Sequence, residues 1–328
     1  MSQGLAHLCN MNSRSPGEVQ FETPVNLPIA SIKGPDLINT PLPFYNTICS
    51  SMNILDGFAD DLFRNILGVD VSLSELPYPA SSVIYFALRW KMYTSATAYG
   101  KDELNALFRA FFWRNVLTSR YDQGFLTQFS IDLRKLEQIL DSNHSCWGTP
   151  AWISKCNSDL DALFGASYPL GSASWIKDTL LDEDTRGALR QLYIIFVKSI
   201  TKHDIVNNLP LDWGTTIKQY KVQMHHLFPQ AWCGNNKGSH QAILQYGINH
   251  IANLCPLQAQ TNNVWKANSP STAILSFGIM YANNTASLSE AFIDTTSFQH
   301  LSIDDVEQFW PRRADSMANL IYARQFVR

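Results

Sequence analysis

From about Asn46 onward, apolar residues recur three and four positions apart, the spacing that gathers them on one face of an α-helix. "SSVIYFALRWKMYTSATAYG" (81–100) and "DELNALFRAFFWRNVLTSRY" (102–121) both carry this period, and Asp102 reads as the N-cap of the second. "SIDLRKLEQILDS" at Ser130 to Ser142 repeats it, with Ile131, Leu133, Leu136 and Leu140 at helical intervals and Asp132 in the opening turn. "DEDTRGALRQLYIIFVKSI" (182–200) predicts a further, buried helix. Between the last two, Trp147 to Tyr168 is interrupted by Pro150, Gly148 and Gly165 and reads as a loop with short helical pieces. Residues 46–202 are therefore expected to form a mostly helical domain.

The flanks differ. Residues 1–45 hold Pro16, Pro24, Pro28, Pro35, Pro41 and Pro43 among Ser, Asn and Gly, a texture that excludes a long helix and predicts an extended arm. In "IKQYKVQMHHLF" the period shifts to two between Tyr220 and Met224, as in a half-buried strand. Residues 271–328 return to helix. There Asp304 and Asp305 open a final amphipathic segment whose Trp310, Met317, Leu320 and Ile321 should face the body, with Phe292 and Phe298 in core contacts of the preceding connection.

Composition narrows the class. At 328 residues and 45% hydrophobic content the chain can fill about two domain cores. A formal charge of -3 gives no global attraction to nucleic acid or anionic membrane, so such binding must rest on local clusters of Lys and Arg. The six cysteines form no CxxC pair and follow no signal peptide, which predicts reduced packing thiols in a cytoplasmic protein. The longest apolar run, Leu192 to Ile200, is broken by Lys198 and is far shorter than the ~20 residues of a membrane span.

Two acidic groups invite a metal reading. Asp182, Glu183 and Asp184 are better explained as carboxylates at a helix start, where the dipole favours them and consecutive residues share no face. The segment around Asp56 lacks the glycine spacing of a phosphate-cradling loop, and neither GxxxxGK[ST] nor GxGxxG occurs.

"KVQMHHLFPQAWC" is more specific. If the strand parity continues, His226 faces the side of Met224 and His225 the other, so the two imidazoles diverge. An isolated pair of this kind is most simply two satisfied histidines at a strand end. Downstream, however, Asn253 stands just before the apolar segment Leu254 to Leu257, followed by Asn262, Lys266 and Pro270.

HHLFP, then NLCPLxxxxN and KxxSP, resembles the HNH nuclease module of the ββα-metal type found at the C-terminal end of DUF262/DUF1524 proteins, which are related to GmrSD-like modification-dependent restriction enzymes. The match spans His225 to Pro270, with weaker similarity in Phe111 to Leu140 and in the tail "DDVEQFWPRRADSMANLIYARQFV". The DUF262 domain with its DGQQR-type motif is absent. The resemblance implies a mainly α protein: an arm (1–45), a helical domain (46–202), a ββα-metal module (203–275) built as a two-stranded hairpin and helix, and a C-terminal helical segment (276–328) packing on the body.

It also implies a chemistry. A phosphodiester anion repels hydroxide, so its hydrolysis needs a base, a cation on the phosphate and stabilisation of the leaving oxygen. By resemblance His226 is the base, His225 and Asn262 hold a divalent ion, Mg2+ or Mn2+, and Asn253 ties the loop between the strands to orient the base rather than moving a proton itself. Asn253 also reads as a helix N-cap. The implied products carry 5'-phosphate and 3'-hydroxyl ends.

Lys266 reads as a phosphate contact or as an ordinary solvated lysine; Lys218, Lys221, Lys237, Arg312 and Arg313 are further candidates for binding DNA. His240 and His250 are not expected to be ligands. The missing sensor domain points to a separate sensor or ATPase subunit, or to another copy of the chain, within an anti-phage defence system. The competing classes are a non-catalytic DNA-binding or assembly subunit that keeps the scaffold, and a structural helical protein in which the two histidines are incidental.

Overall fold

The computed structural model describes residues 46–47, 49–69, 71, 73–123, 125–165 and 172–328. The arm expected over 1–45 and Cys9 lie outside them. The described chain is mainly helical with one two-stranded antiparallel sheet. It divides into two compact units: residues up to Leu67 with Val71–Tyr168 and Arg324–Arg328, and Gly68–Asp70 with Pro169–Ala323.

In the first unit, α1 (Met52–Asp60) runs on as a π-helix over Asp61–Leu67 and is followed by α2 (Pro79–Thr94), α3 (Lys101–Leu117), α4 (Phe125–Asn143) and α5 (Pro150–Phe164). The amphipathic repeat is real, but several boundaries move for local reasons. The α2 helix ends before Ser95, and α3 is capped from Gly100, whose amide donates to Glu103 at 3.1 Å; Asp102 sits inside the first turn instead of at the cap. Asp132 is not in an opening turn but in the interior of α4, buried and gripped by the Arg120 guanidinium at 2.8 and 3.0 Å.

The segment after Trp147 is a single helix of 15 residues: Thr149 caps it by accepting from the Trp152 amide, and Pro150 starts it. Proline at the first helical position has no amide to leave unpaired, so here it initiates where it was read as a breaker. Phe108, Phe111, Phe112 and Trp113 of α3 are all buried in the core of this unit.

The second unit comprises α6 (Ser174–Leu181), α7 (Gly187–Ile200), β1 (Val222–His226), α8 (Gln230–Asn236), α9 (Gln241–Tyr246), β2 (Leu254–Gln258), α10 (Ala259–Trp265), α11 (Pro270–Phe277), α12 (Tyr281–Glu290), α13 (Thr295–Ser302) and α14 (Val306–Ala323). The division near residue 169, where a boundary at 202 was expected, has a packing reason: α7 lies against β2, and α14 lies against α6 and α13. Residues 276–323 accordingly share one compact unit with the sheet.

β1 and β2 pair antiparallel, Val222 opposite Gln258 through His226 opposite Leu254. They are not joined by a tight hairpin. Residues 227–253 form a long excursion that carries α8 and α9 before the chain returns as β2. β2 is buried along its whole length, consistent with cover on both faces, while Pro256 is tolerated because each strand of a two-stranded sheet has an open edge.

In α14, Trp310, Met317 and Ile321 are buried as the period predicts, but Leu320 is 49% exposed. Asp304 does not open that helix; its carboxylate accepts the Ser271 amide at 2.8 Å and the Ser271 hydroxyl at 2.6 Å, capping α11 instead. Phe292 stacks on Phe196 with ring centroids 5.2 Å apart. Among the described residues, no helix is long and apolar enough to cross a membrane.

Candidate active site at the end of the first strand

The two histidines at the end of β1 diverge, as strand geometry requires. His225 is buried against α10: its Nδ1 lies 2.7 Å from Asn262 Oδ1, and its ring is 5.1 Å from that of Trp265. Asn262 Nδ2 in turn donates to Gln223 Oε1 at 2.6 Å, which turns its carbonyl oxygen toward the imidazole. Burial depresses His225 to about 4, a shift opposed by the Asn262 hydrogen bond and reinforced by neighbouring His226, so the ring is neutral near pH 7. Its Nε2 is buried without a hydrogen-bond partner among the described residues.

The corner that delivers Asn262 is held by a buried carboxylate. Asp204 accepts the Gln258 amide at 2.8 Å and the Thr261 hydroxyl at 2.6 Å through one oxygen, and the Val206 amide at 2.9 Å through the other. These bonds clamp the junction of β2 and α10. Burial nonetheless raises the Asp204 pKa.

His226 occupies a different environment. It is partly exposed, and its Nε2 is 3.2 Å from Asn249 Oδ1, the same oxygen that accepts from Gln230 Nε2 at 3.0 Å. With Nε2 carrying the hydrogen, the Nδ1 lone pair is the basic site. Burial lowers the His226 pKa, with Asn249 opposing and the Arg190 charge adding, so the neutral, proton-accepting form is favoured. Arg190 of α7 donates from Nη1 to the Asn249 carbonyl at 3.0 Å.

Glu183 completes the loop by accepting the amides of Ile248 at 2.9 Å and Asn249 at 3.3 Å. Gly247 has φ 73°, and a Cβ there would collide with the Glu183 carboxylate; both facts call for glycine. The acidic run 182–184 thus lies in the turn before α7, and Glu183 serves the 247–249 loop instead of a helix dipole.

Asn253, fully buried, uses its carboxamide completely. Oδ1 accepts the Phe228 amide at 2.9 Å and the Trp310 indole N–H at 3.2 Å; Nδ2 donates to the carbonyls of Phe228 and Ile248, both at 3.1 Å. Every partner has an unambiguous donor or acceptor sense, which fixes the amide orientation. Asn253 ends a short 3-10 turn and leads into β2, so it caps no α-helix.

No family model, curated protein or solved structure matches this chain.

The arrangement brings His225 and Asn262 together, sets His226 on a separate polar edge, and makes Asn253 the tie between the excursion and β2. Two ligands at ~2.1 Å from an octahedral ion and at right angles to each other are about 3 Å apart, so His225 Nδ1 and Asn262 Oδ1 have a suitable separation for one shared ion. An ion there would take the Nδ1 lone pair, with the proton of the ring on Nε2. The pair carries no formal charge, and among the described residues no group of three or more His, Cys, Asp or Glu side chains converges as ligands. Neutral imidazole and amide donors suit Mn2+ or a similar transition ion better than Mg2+, which favours carboxylate oxygens.

The expected DNA-binding set splits. Lys218, Lys221, Lys237 and Lys266 are exposed. Arg312 is exposed but engaged with Asp294 at 2.8 and 3.1 Å. Arg313 cannot contact DNA from its position: it is fully buried and donates to the carbonyls of Ala252 at 2.7 Å, Leu254 at 2.9 Å and Ala291 at 2.9 Å. Its α14 spacing places it on the inner face beside Trp310 and Met317, where its fork serves carbonyls around the start of β2.

His250 is also buried, edge-on to Trp310 at 4.4 Å, and His240 lies 3.8 Å from Glu307. Arg190, Asn249, Gln230 and Asp204 carry no signal along the chain: Asn249 reaches His226, Arg190 and Gln230 reach Asn249, and Asp204 fixes the corner beneath Asn262, all through tertiary packing.

Proposed function

We propose that this chain is a divalent-metal-dependent endonuclease of the HNH type, hydrolysing phosphodiester bonds in DNA, with His226 as general base and His225 and Asn262 as metal ligands. One observation supports it above others. A two-stranded antiparallel sheet runs directly into a helix whose Asn262 meets His225 at 2.7 Å, while the adjacent His226 turns to a separate, partly exposed polar edge.

In this reading His226 Nδ1 takes a proton from water, the water oxygen bonds to phosphorus, and the bond from phosphorus to O3' breaks. The O3' alkoxide takes a proton from solvent, leaving 3'-hydroxyl and 5'-phosphate ends. A divalent ion on His225 and Asn262 would supply positive charge to the phosphate oxygens. Asn249 and Gln230 keep the His226 ring oriented, and Asn253 holds the start of the excursion so that both histidines keep their directions.

The substrate, a partner subunit with sensing or ATPase activity, and a role in anti-phage defence follow from the family resemblance. Plasmid cleavage in Mg2+, Mn2+ and EDTA, with and without candidate partner proteins, tests the reading. Wild type is expected to nick or cut in metal alone, and His226→Ala to lose at least about 100-fold in rate. Equal cleavage by His226→Ala would sink it.

A further inference from the structure

Arg190 lies on α7, outside the segment that carries the HNH resemblance, yet it reaches the His226 edge. Its Nη1 bonds the Asn249 carbonyl at 3.0 Å, Asn249 Oδ1 meets His226 Nε2 at 3.2 Å, and Gln230 Nε2 joins the same oxygen at 3.0 Å. The guanidinium is only partly buried and is held by the same Asn249 whose side chain contacts His226.

The charge of this partly exposed arginine is not neutralised. A guanidinium has five N–H donors, and the Asn249 carbonyl takes one. Among the described residues Arg190 forms no ion pair with a carboxylate. The nearby acids are turned elsewhere: Glu183 to the Ile248 and Asn249 amides, Asp184 to Arg186. Arg186 and Arg190 repel each other, so the local electrostatics give no stability reason to keep a cation here. An oxyanion ligand would supply that reason, and a planar fork suits a phosphodiester bidentately.

We propose that Arg190 is the phosphate-binding residue of the His226 edge, holding the phosphodiester of a nucleic-acid strand next to the base. This rests on the nuclease reading of His226 and assigns to Arg190 the role that buried Arg313 cannot fill. The Asn249 bond then has a second purpose: it couples the position of the guanidinium to the ring it serves.

The test measures binding of the full-length chain to a short fluorescein-labelled DNA duplex in EDTA over a range of NaCl, and cleavage of the same duplex in Mn2+. Arg190→Gln is expected to weaken binding about 10-fold at low salt and to reduce the slope of log affinity against log salt by about one. Arg190→Lys should keep the slope and lose rate, because it retains charge without the fork. His226→Ala should bind as wild type and not cleave.

Wild-type affinity and slope in Arg190→Gln would overturn the proposal, as would equal loss in the Gln and Lys variants accompanied by equally lowered Tm, the mark of a strut for the 247–249 loop. The two readings fail separately. Cleavage that survives Arg190→Gln with unchanged KM removes Arg190 and leaves the nuclease; Arg190-dependent binding with no cleavage by wild type in any metal removes the nuclease and leaves the anion site.

Discussion

The side chain of Asn253 and the main chain of Phe228 hydrogen-bond in both directions, Phe228 N–H to Oδ1 at 2.9 Å and Nδ2 to the Phe228 carbonyl at 3.1 Å. The carboxamide thereby imitates a peptide group and extends the pairing of β1 and β2 past its last rung, His226 opposite Leu254, where the Leu227 amide also bonds the Asn253 carbonyl at 2.8 Å. The direction of His226 depends on this closure.

Asn253→Ala should therefore cost stability. It strands two buried acceptors and two buried donors, each worth ~1–3 kcal/mol if left unpaired, and partial relaxation brings the expected total to about 3–4 kcal/mol. Asn253→Asp should be damaging as well, since it faces the Phe228 and Ile248 carbonyls with a carboxylate. Urea unfolding checks both, and a midpoint close to wild type for either would contradict the account.

Two adjacent arginines should behave oppositely. Arg313→Met removes the donors of the Ala252, Leu254 and Ala291 carbonyls and is expected to destabilise by about 3 kcal/mol or more. Arg312→Ala breaks an exposed pair with Asp294 and should leave Tm nearly unchanged in moderate salt. Thermal unfolding of the two variants side by side distinguishes a buried strut from a solvated charge.

His250 predicts a pH dependence. Burial, with the charges of Arg313, His226 and Arg190 adding, depresses it to about 3, against ~6.5 in an unfolded chain. The unfolded state then binds the extra proton, so this contribution is fully present above pH ~6.5 and is lost as pH falls toward 3. The loss is on the order of 5 kcal/mol. His250→Phe should flatten the decline between pH 6.5 and 4 and, with no unpartnered nitrogens, hold or raise Tm at pH 5.5. A stability profile parallel to wild type would refute this.

Metal binding can be read without activity. An ion that binds only the folded chain raises its stability by about 2.7 kcal/mol at 100 times Kd. Mn2+ should raise the wild-type Tm reversibly with EDTA, and both His225→Ala and Asn262→Ala should lose the increment. An equal rise in all three proteins would place the ion elsewhere.

Much of this molecule was legible along the chain. Helical periodicity located α2, α3, α4 and α7 and alternation located β1, while His225, His226, Asn253 and Asn262 were nominated by the family resemblance of the motifs that carry them. The periodicities are local properties: a period of 3.6 or 2 depends only on neighbours within a turn or two. What tertiary structure alone decided was burial of charge and the partners of polar groups. Helical spacing puts Arg313 on the face of Trp310 and Met317 and Arg312 off it, but only the packing of α14 gives Arg313 three backbone carbonyls and Arg312 the exposed Asp294. Asp132, Asp204, Glu183 and Arg190 likewise gained their roles from groups far away in sequence, because a hydrogen bond across packed elements depends on how those elements are placed in space, which no spacing along one of them encodes.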